Sequence, residues 1–355
     1  MNERAAVWLA GAEAIQAGRA AAFATVARKR GSLPMASDAK MLVTADGGRW
    51  GTVGGGCTEA DVTAQALATI ETRQPAFVKH TLNSDLIGDL ALSCGGTVEL
   101  FVEPLLPWDA LARLCRAVGE GIEQRRPVTV ATAIQWSHGP SKVADVGGER
   151  FTVGAGDRLL SNHPPPSPSI PLHRPRHRDT AAFVDENAAA FIEPILRMPR
   201  VTIFGAGHVG VELARLASRV GFYVIVVDDR AEFANRERLP EANEVVAEDF
   251  RGVLDRLRFD EDDYVIAATR GHSYDAYIVE RTAGSDAGYV GMLGSKRKRA
   301  VIWKALEDLG VDPQALARVR SPIGVEIGAD TPAEIAVSVV AELVRLRRLG
   351  RSGNT

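Results

Sequence analysis

Cysteine is scarce in this chain. Only Cys57, Cys94 and Cys115 occur in 355 residues, an odd number with no CxxC spacing, which excludes a disulfide framework and a structural zinc site. A reducing, cytoplasmic setting is the expectation that follows. Long hydrophobic runs are also missing: no stretch approaches the ~18 apolar residues of a membrane-spanning helix, so no membrane partner is expected. The first twenty residues carry acidic side chains and never form an unbroken apolar run, so they read as an amphipathic helix and not as a signal peptide. A large charge excess is absent as well. The net charge of -3 gives no global field to gather a polyanion, which argues against nucleic acid and means that any phosphate must be met locally.

What is present is the composition of a folded protein, 46% hydrophobic and 25% charged. A length of 355 residues exceeds what one hydrophobic core usually serves, so two domains are expected. In residues 1–159, AAFATVARKRGS and AKMLVTADGGRWGTVGGGC read as short strands broken by glycine-rich turns. TEADVTAQALATIETR then has helical spacing, which starts a helix directly after the Gly-Gly-Gly-Cys turn. Strands at FVKHTLNS and GGTVELFVEPLLP, a helix near Trp108 to Gln124 and a strand at PVTVATAIQW complete an α+β domain. Residues 160–180 are rich in proline and read as a linker or surface loop, with a basic arm built on Arg174, Arg176 and Arg178 as the alternative. Residues 181–199 are expected to connect to a second domain over 200–355, and no internal repeat stands out.

That second domain opens on RVTIFGAGHVGVELARLASRVGFYVIVVDDR, which holds the parts of a dinucleotide-binding βαβ unit in order. Gly205, Gly207 and Gly210 satisfy GxGxxG: the first permits the tight turn, the second lets a phosphate reach the backbone, and the third lets helix pack on strand. The helix that follows aims its unpaired N–H groups at the phosphate. Asp228, 23 residues after Gly205, is expected to accept hydrogen bonds from ribose hydroxyls. A Rossmann-type parallel sheet follows. A second strand ends in Thr269, Arg270, Gly271 and His272, at the carboxyl edge where open α/β sheets bind ligands; a loop-orienting role for His272 is the alternative. A third leads through Gly294 and Ser295 into Lys296, Arg297, Lys298 and Arg299. Four cations in a first turn oppose the helix dipole, a conflict that a nearby anion would remove. A solvated charge run is the other reading.

The motifs GTVGGGCTEADV (51–62), LSCGGTVELFVEPL (92–105), GAGHVGVELARLA (205–217), VVDDR (226–230), ATRGHSYD (268–275), GMLGSKRKR (291–299) and SPIGVEIGADTPAEIAVSVVAEL (321–343) occur in one order along nearly the whole chain. In this the chain resembles the XdhC/CoxI family of xanthine dehydrogenase accessory factors. The resemblance implies a chaperone for the molybdenum cofactor (molybdopterin). Such a factor protects the cofactor while a sulfido ligand is installed, with a cysteine desulfurase as sulfur donor, and passes it to an apo molybdenum hydroxylase. The loop GSLPMASDAKMLV departs from the family pattern: Met35 stands where arginine is usual and Asp38 where glycine is usual. The retained Lys40 is expected to take over contact with phosphate or pterin.

Cys57, at a helix start after three glycines, sits where the dipole favours a thiolate and the backbone admits a ligand closely. Cys94 also lies beside two glycines. Soft thiolates suit soft metals and sulfur chemistry, which makes Cys57 the metal candidate and Cys94 a second cofactor contact. The alternative for both is a buried small hydrophobe. Cys115, inside the helical LARLCRAV, is expected in the core. Rival functions are an NAD(P)-dependent oxidoreductase, with His208 and His272 as its only convenient acids or bases, and a nucleotide-sensing regulator. A symmetric homodimer is the default oligomer.

Overall fold

A computed structural model of the chain describes residues 3–349 apart from 32, 34, 37, 56, 83–95, 134–141, 154–180, 186–187 and 196. The chain divides into two compact units, Met1–Arg197 and Met198–Thr355.

The first unit runs α1 (Glu3–Gln16), β1 (Ala21–Gly31), β2 (Lys40–Thr44), β3 (Arg49–Gly51), α2 (Cys57–Thr72), β4 (Ala76–Leu82), β5 (Gly96–Leu105), α3 (Asp109–Glu123), β6 (Val128–Ala133), β7 (Lys142–Val146), β8 (Glu149–Val153), β9 (Ala181–Asp185) and β10 (Ala188–Ile195). Its strands form two antiparallel sheets of five, in the orders β3-β2-β1-β5-β4 and β8-β7-β6-β10-β9. The first seven residues of β1 are all buried. The alternation of a strand explains why: Phe23 joins the core shared with Trp8 of α1, while Ala22, Ala24 and Val26 join the core shared with Val62 and Ala66 of α2. A strand covered on both faces reads as a continuous apolar run.

Two expectations are corrected here. Residues 181–199 are not merely a connection, because β10 pairs with β6 over six residue pairs and carries β9 on its other edge. The two sheets also share one strand order, so a structural repeat exists where none stood out in the sequence. The pattern is held by topology and by a few residues, with loops of different length between them. The proline-rich stretch 160–180 lies outside the described residues.

The second unit runs β11 (Arg200–Phe204), α4 (His208–Arg219), β12 (Tyr223–Asp228), β13 (Glu244–Ala247), α5 (Phe250–Arg256), β14 (Asp263–Ala267), α6 (His272–Thr282), β15 (Tyr289–Met292), α7 (Lys296–Asp308), α8 (Pro313–Ala317) and α9 (Pro332–Leu349). The five strands are parallel in the order β13-β12-β11-β14-β15. Alternate residues feed alternate layers. Val201, Ile203, Val224 and Val226 pack with Leu213 of α4 and Val339 of α9, whereas Phe204, Ile225 and Val227 pack with Phe250 of α5 and Ile278 of α6. This is the Rossmann sheet expected for the C-terminal half. Among the described residues no helix is long and apolar enough to cross a membrane.

Candidate functional site

In a doubly wound sheet, ligands bind beyond the carboxyl ends of the strands where the strand order reverses. Here that point lies between β11 and β14, and the glycine loop 205–207 and the segment 268–271 follow those two strands. The two segments touch through Ala268, whose N–H donates to the Phe204 carbonyl at 2.8 Å. The three glycines of the loop answer to different demands. Gly205 holds φ at 118°, and a Cβ there would lie 2.3 Å from the Ala268 carbonyl oxygen. A Cβ on Gly210 would lie 2.0 Å from the Gly205 carbonyl oxygen. Both are required by the protein's own backbone. Gly207 is not: an added Cβ meets nothing within 4 Å, and its φ of -70° is open to any residue. Its backbone is left open at the place where the second glycine of such a motif lets a phosphate approach.

Helix caps single out the same edge. In this unit α5, α7 and α8 are capped by the side chains of Asp249, Ser295 and Asp312, and α9 by a Thr331–Glu334 capping box. The N-cap residues of α4 and α6 are Gly207 and Gly271, and neither gives a side-chain cap. These are the two helices that start at the crevice, so their first N–H groups and dipole ends face it unneutralised by a cap.

Asp228 does something other than expected. Its side chain is 2% exposed, and one carboxylate oxygen accepts from the Ala206 N–H at 2.8 Å. Arg230 donates to both oxygens through Nε and Nη2, and its own N–H donates to one of them. Burial raises the pKa of this carboxyl, but the Arg230 and Ala206 hydrogen bonds outweigh it and hold it below its ordinary value. Asp228 therefore fixes the glycine loop, and its lone pairs are already engaged. Arg230 lies over the Phe233 ring at 3.6 Å, and Arg238 stacks on the same ring at 4.6 Å while donating to the Ala206 carbonyl. The residues missed from sequence at this edge are thus Arg230, Phe233, Arg238 and Asp229. The run VDDR held two of them, but nothing in it said which acid turns inward.

The other predicted residues divide between scaffold and rim. The Thr269 hydroxyl donates to Asp275, whose side chain is fully buried and ion-paired with Lys298. Thr269 and Lys298 therefore lock the β14–α6 segment to the start of α7. Arg270 is exposed and pairs with Asp229 at 2.9 Å. His272, Lys296 and Arg297 are exposed, each in the first turn of its helix, and Arg299 donates to the Ser321 carbonyl.

In the first unit, α2 begins at Cys57, where the sequence places a helix start. The loop before it carries Gly54, which needs its φ of 136° and rests against Met35, and Gly55, around which an added Cβ finds open space. Met35 is buried. Asp38 pairs with Arg4 of α1, so the two departures from the family pattern are absorbed into packing and an ion pair. Lys40 is a correction: its side chain is 3% exposed and donates to Glu193 at 2.8 Å and to the Thr25 hydroxyl, so it is unavailable to a ligand. Cys115 is fully buried, and burial pushes its thiol up to about 12, the inert core cysteine expected. Cys94 lies outside the described residues.

Known proteins resemble this chain at both units. The model described as the XdhC Rossmann domain matches residues 201–343, and that of the XdhC and CoxI family matches residues 14–81. A probable xanthine dehydrogenase subunit of Bacillus subtilis is 28% identical over 92% of this chain and 93% of its own length. The molybdenum cofactor insertion chaperone PaoD of Escherichia coli is 23% identical over 94% of this chain and 86% of its own length. The crystal structure of a xanthine dehydrogenase from Bacillus halodurans superposes with a TM-score of 0.74 at 26% identity, over 98% of each chain.

Proposed function

The chain belongs to the XdhC and CoxI family, and from that premise we propose that it is an accessory factor of a xanthine dehydrogenase-like molybdenum hydroxylase, which binds molybdenum cofactor as cargo, protects it during sulfuration and delivers it. The observation that carries a phosphate-bearing ligand is the Gly207 cradle, a glycine that no protein atom requires, at the head of a helix with no side-chain cap. Phosphate is the chemistry that molybdopterin and a nucleotide share. Gly207 and the first N–H groups of α4 receive it, Asp228 and Arg238 hold the loop in shape, and Lys296 and Arg297 add positive charge. The cargo's metal and sulfur call for a soft donor, and the Cys57 thiol at the head of α2 supplies one.

A delivery factor needs no acid or base at the cradle. The NAD(P) oxidoreductase reading has to use His208 or His272, and His208 opens α4 inside the glycine motif itself, a poor position for hydride chemistry. Protein produced in cells that make molybdenum cofactor tests the proposal. Bound molybdenum with a fluorescent pterin oxidation product is expected. A reducible nicotinamide in its place would establish the oxidoreductase, and a nucleotide without molybdenum a sensor.

A further inference from the structure

The two sheets of the first unit are one design used twice. Each half runs helix, three strands, then two further strands, with the last pair inserted beside the first strand, and the pairing registers coincide. Phe23 stands opposite Glu103, and Thr25 opposite both Phe101 and Lys40; in the second half Val130 stands opposite Glu193, and Thr132 opposite both Phe191 and Lys142. The helix exits match as well. Gly18 and Arg125 both take positive φ, 67° and 56°; the N–H groups of Gly18 and Arg19 donate to Ile15 and Ala14, and those of Arg125 and Arg126 to Ile122 and Gly121. With these equivalences in hand, short echoes emerge in the sequence: FVEPLL at 101–106 against FIEPIL at 191–196, and RWGTVGGGC at 49–57 against RFTVGAGD at 150–157.

The halves meet reciprocally. Lys40 of the first donates to Glu193 of the second at 2.8 Å, and Lys142 of the second donates to Glu103 of the first at 2.7 Å, all four side chains being at most 9% exposed. Phe101 and its equivalent Phe191 place their ring centroids 4.8 Å apart, and α1 packs along its equivalent α3. Contacts in which i meets j while j meets i mark a two-fold interface between like copies. The halves differ at several buried positions, and two of these set an aromatic ring in the first half against a small side chain in the second. The helix position held by Trp8 in the first half is Cys115 in the second, and the strand position held by Phe23 is Val130. The Trp8 and Phe23 rings lie 4.9 Å apart, with the ammonium groups of Lys40 and Lys142 both within 6.0 Å of each.

We propose that the first unit is a fused pseudo-dimer, in which the second half serves inside the chain as the partner that the first would otherwise take from a second copy, and in which the Trp8–Phe23 knob and the Cys115–Val130 hole make the pairing heterotypic. Two first halves face to face would crowd four rings into space that holds two. Two second halves would leave a void beside four buried charges. Interiors are packed densely enough for either error to be costly. The charges alone do not discriminate, since Lys40 and Lys142 are equivalents and so are Glu103 and Glu193; size does. In sequence, the second half's TVGAGD also ends in Asp157 where the first half's TVGGGC ends in Cys57, so this motif carries its cysteine once.

The test uses the full chain and its thermal unfolding. C115W/V130F makes both halves knobs, and W8C/F23V makes both halves holes. Each is expected to lower Tm by about 10 °C or more. Because Phe23 packs on Gly11, where an added Cβ would lie 2.6 Å from its ring, and the equivalent position is the buried Val118, the exchange that moves the knob across the axis is W8C/G11V/F23V/C115W/V118G/V130F, which is expected to recover more than half of the combined loss. Additive losses in that variant would overturn the proposal. Where the knob or hole variants do not accumulate, charge reversal reads the same axis: K40E/E193K keeps opposite charges facing and is expected to stay folded, whereas K40E/E103K places like charges at both contacts and is expected to unfold. Equal stability of those two would likewise overturn it.

Discussion

Single glycines separate what the fold needs from what a ligand needs. Gly210 is pressed against the Gly205 carbonyl, so Gly210→Ala forces the loop apart and is expected to cost about 1–3 kcal/mol or more. Gly207→Val meets open space, loses only the tolerance of a helix cap, and is expected to cost no more than about 1 kcal/mol. Its effect falls on binding, where a branched side chain occupies the space of a phosphate. Calorimetry with pterin or nucleotide, alongside denaturant unfolding of both variants, checks the contrast; unchanged affinity in Gly207→Val would remove the loop from the site. Asp228 offers a pH counterpart. Its folded pKa is held below the unfolded value near ~3.9, so the stability it contributes is in place above that value and is lost as pH falls through the folded pKa. Asp228→Asn is expected to lose about 3 kcal/mol at neutral pH, because Arg230 keeps its charge beside a neutral amide, and to flatten the acid limb of the stability profile. An acid limb identical to that of the parent protein would show that the pair carries none of this.

Elements were more legible than their contacts. The helix after Gly-Gly-Gly-Cys, the strand–glycine–helix–strand order of the second unit and the acid at the end of β12 could all be read from period, turn chemistry and motif spacing. The destination of the Asp228 carboxylate could not, because it depends on Arg230 folding back two residues later. Lys40 misled for a related reason: its partner, Glu193, lies 153 residues away on a strand that reads as connection. The basic start of α7 was legible as a conflict with the dipole, and half of that conflict proves to be internal. Lys298 pairs with Asp275 and Arg299 reaches Ser321, while Lys296 and Arg297 point to solvent. Replacing Lys296 and Arg297 with alanine is therefore expected to act in opposite directions. Thermal stability should rise slightly, by about 0.3–1 kcal/mol for each cation removed from the first turn, while affinity for an anionic ligand and its salt dependence both fall. Titrations at two ionic strengths check this, and an unchanged salt slope would leave the pair as an ordinary solvated face.

At the scale of the whole molecule, the division into an α+β half and a Rossmann half was within reach of composition and motif, and the duplication inside the first half was not. Equivalent strands there share their register but few of their side chains, and register becomes visible only when strands pair. The function proposed at this scale is that of a factor which holds a cargo and releases it to a hydroxylase, and Cys57 at the head of α2 is the residue on which that proposal depends most. Alanine at that position removes the thiol without adding bulk, so the fold is expected to survive. The decisive measurement loads the parent protein and Cys57→Ala with molybdenum cofactor, then follows bound molybdenum and the activity regained by an apo molybdenum hydroxylase. The account predicts that the parent protein carries molybdenum and reactivates the hydroxylase, and that Cys57→Ala, with an unchanged Tm, does not reactivate it. Equal loading and equal reactivation by the two proteins would contradict it.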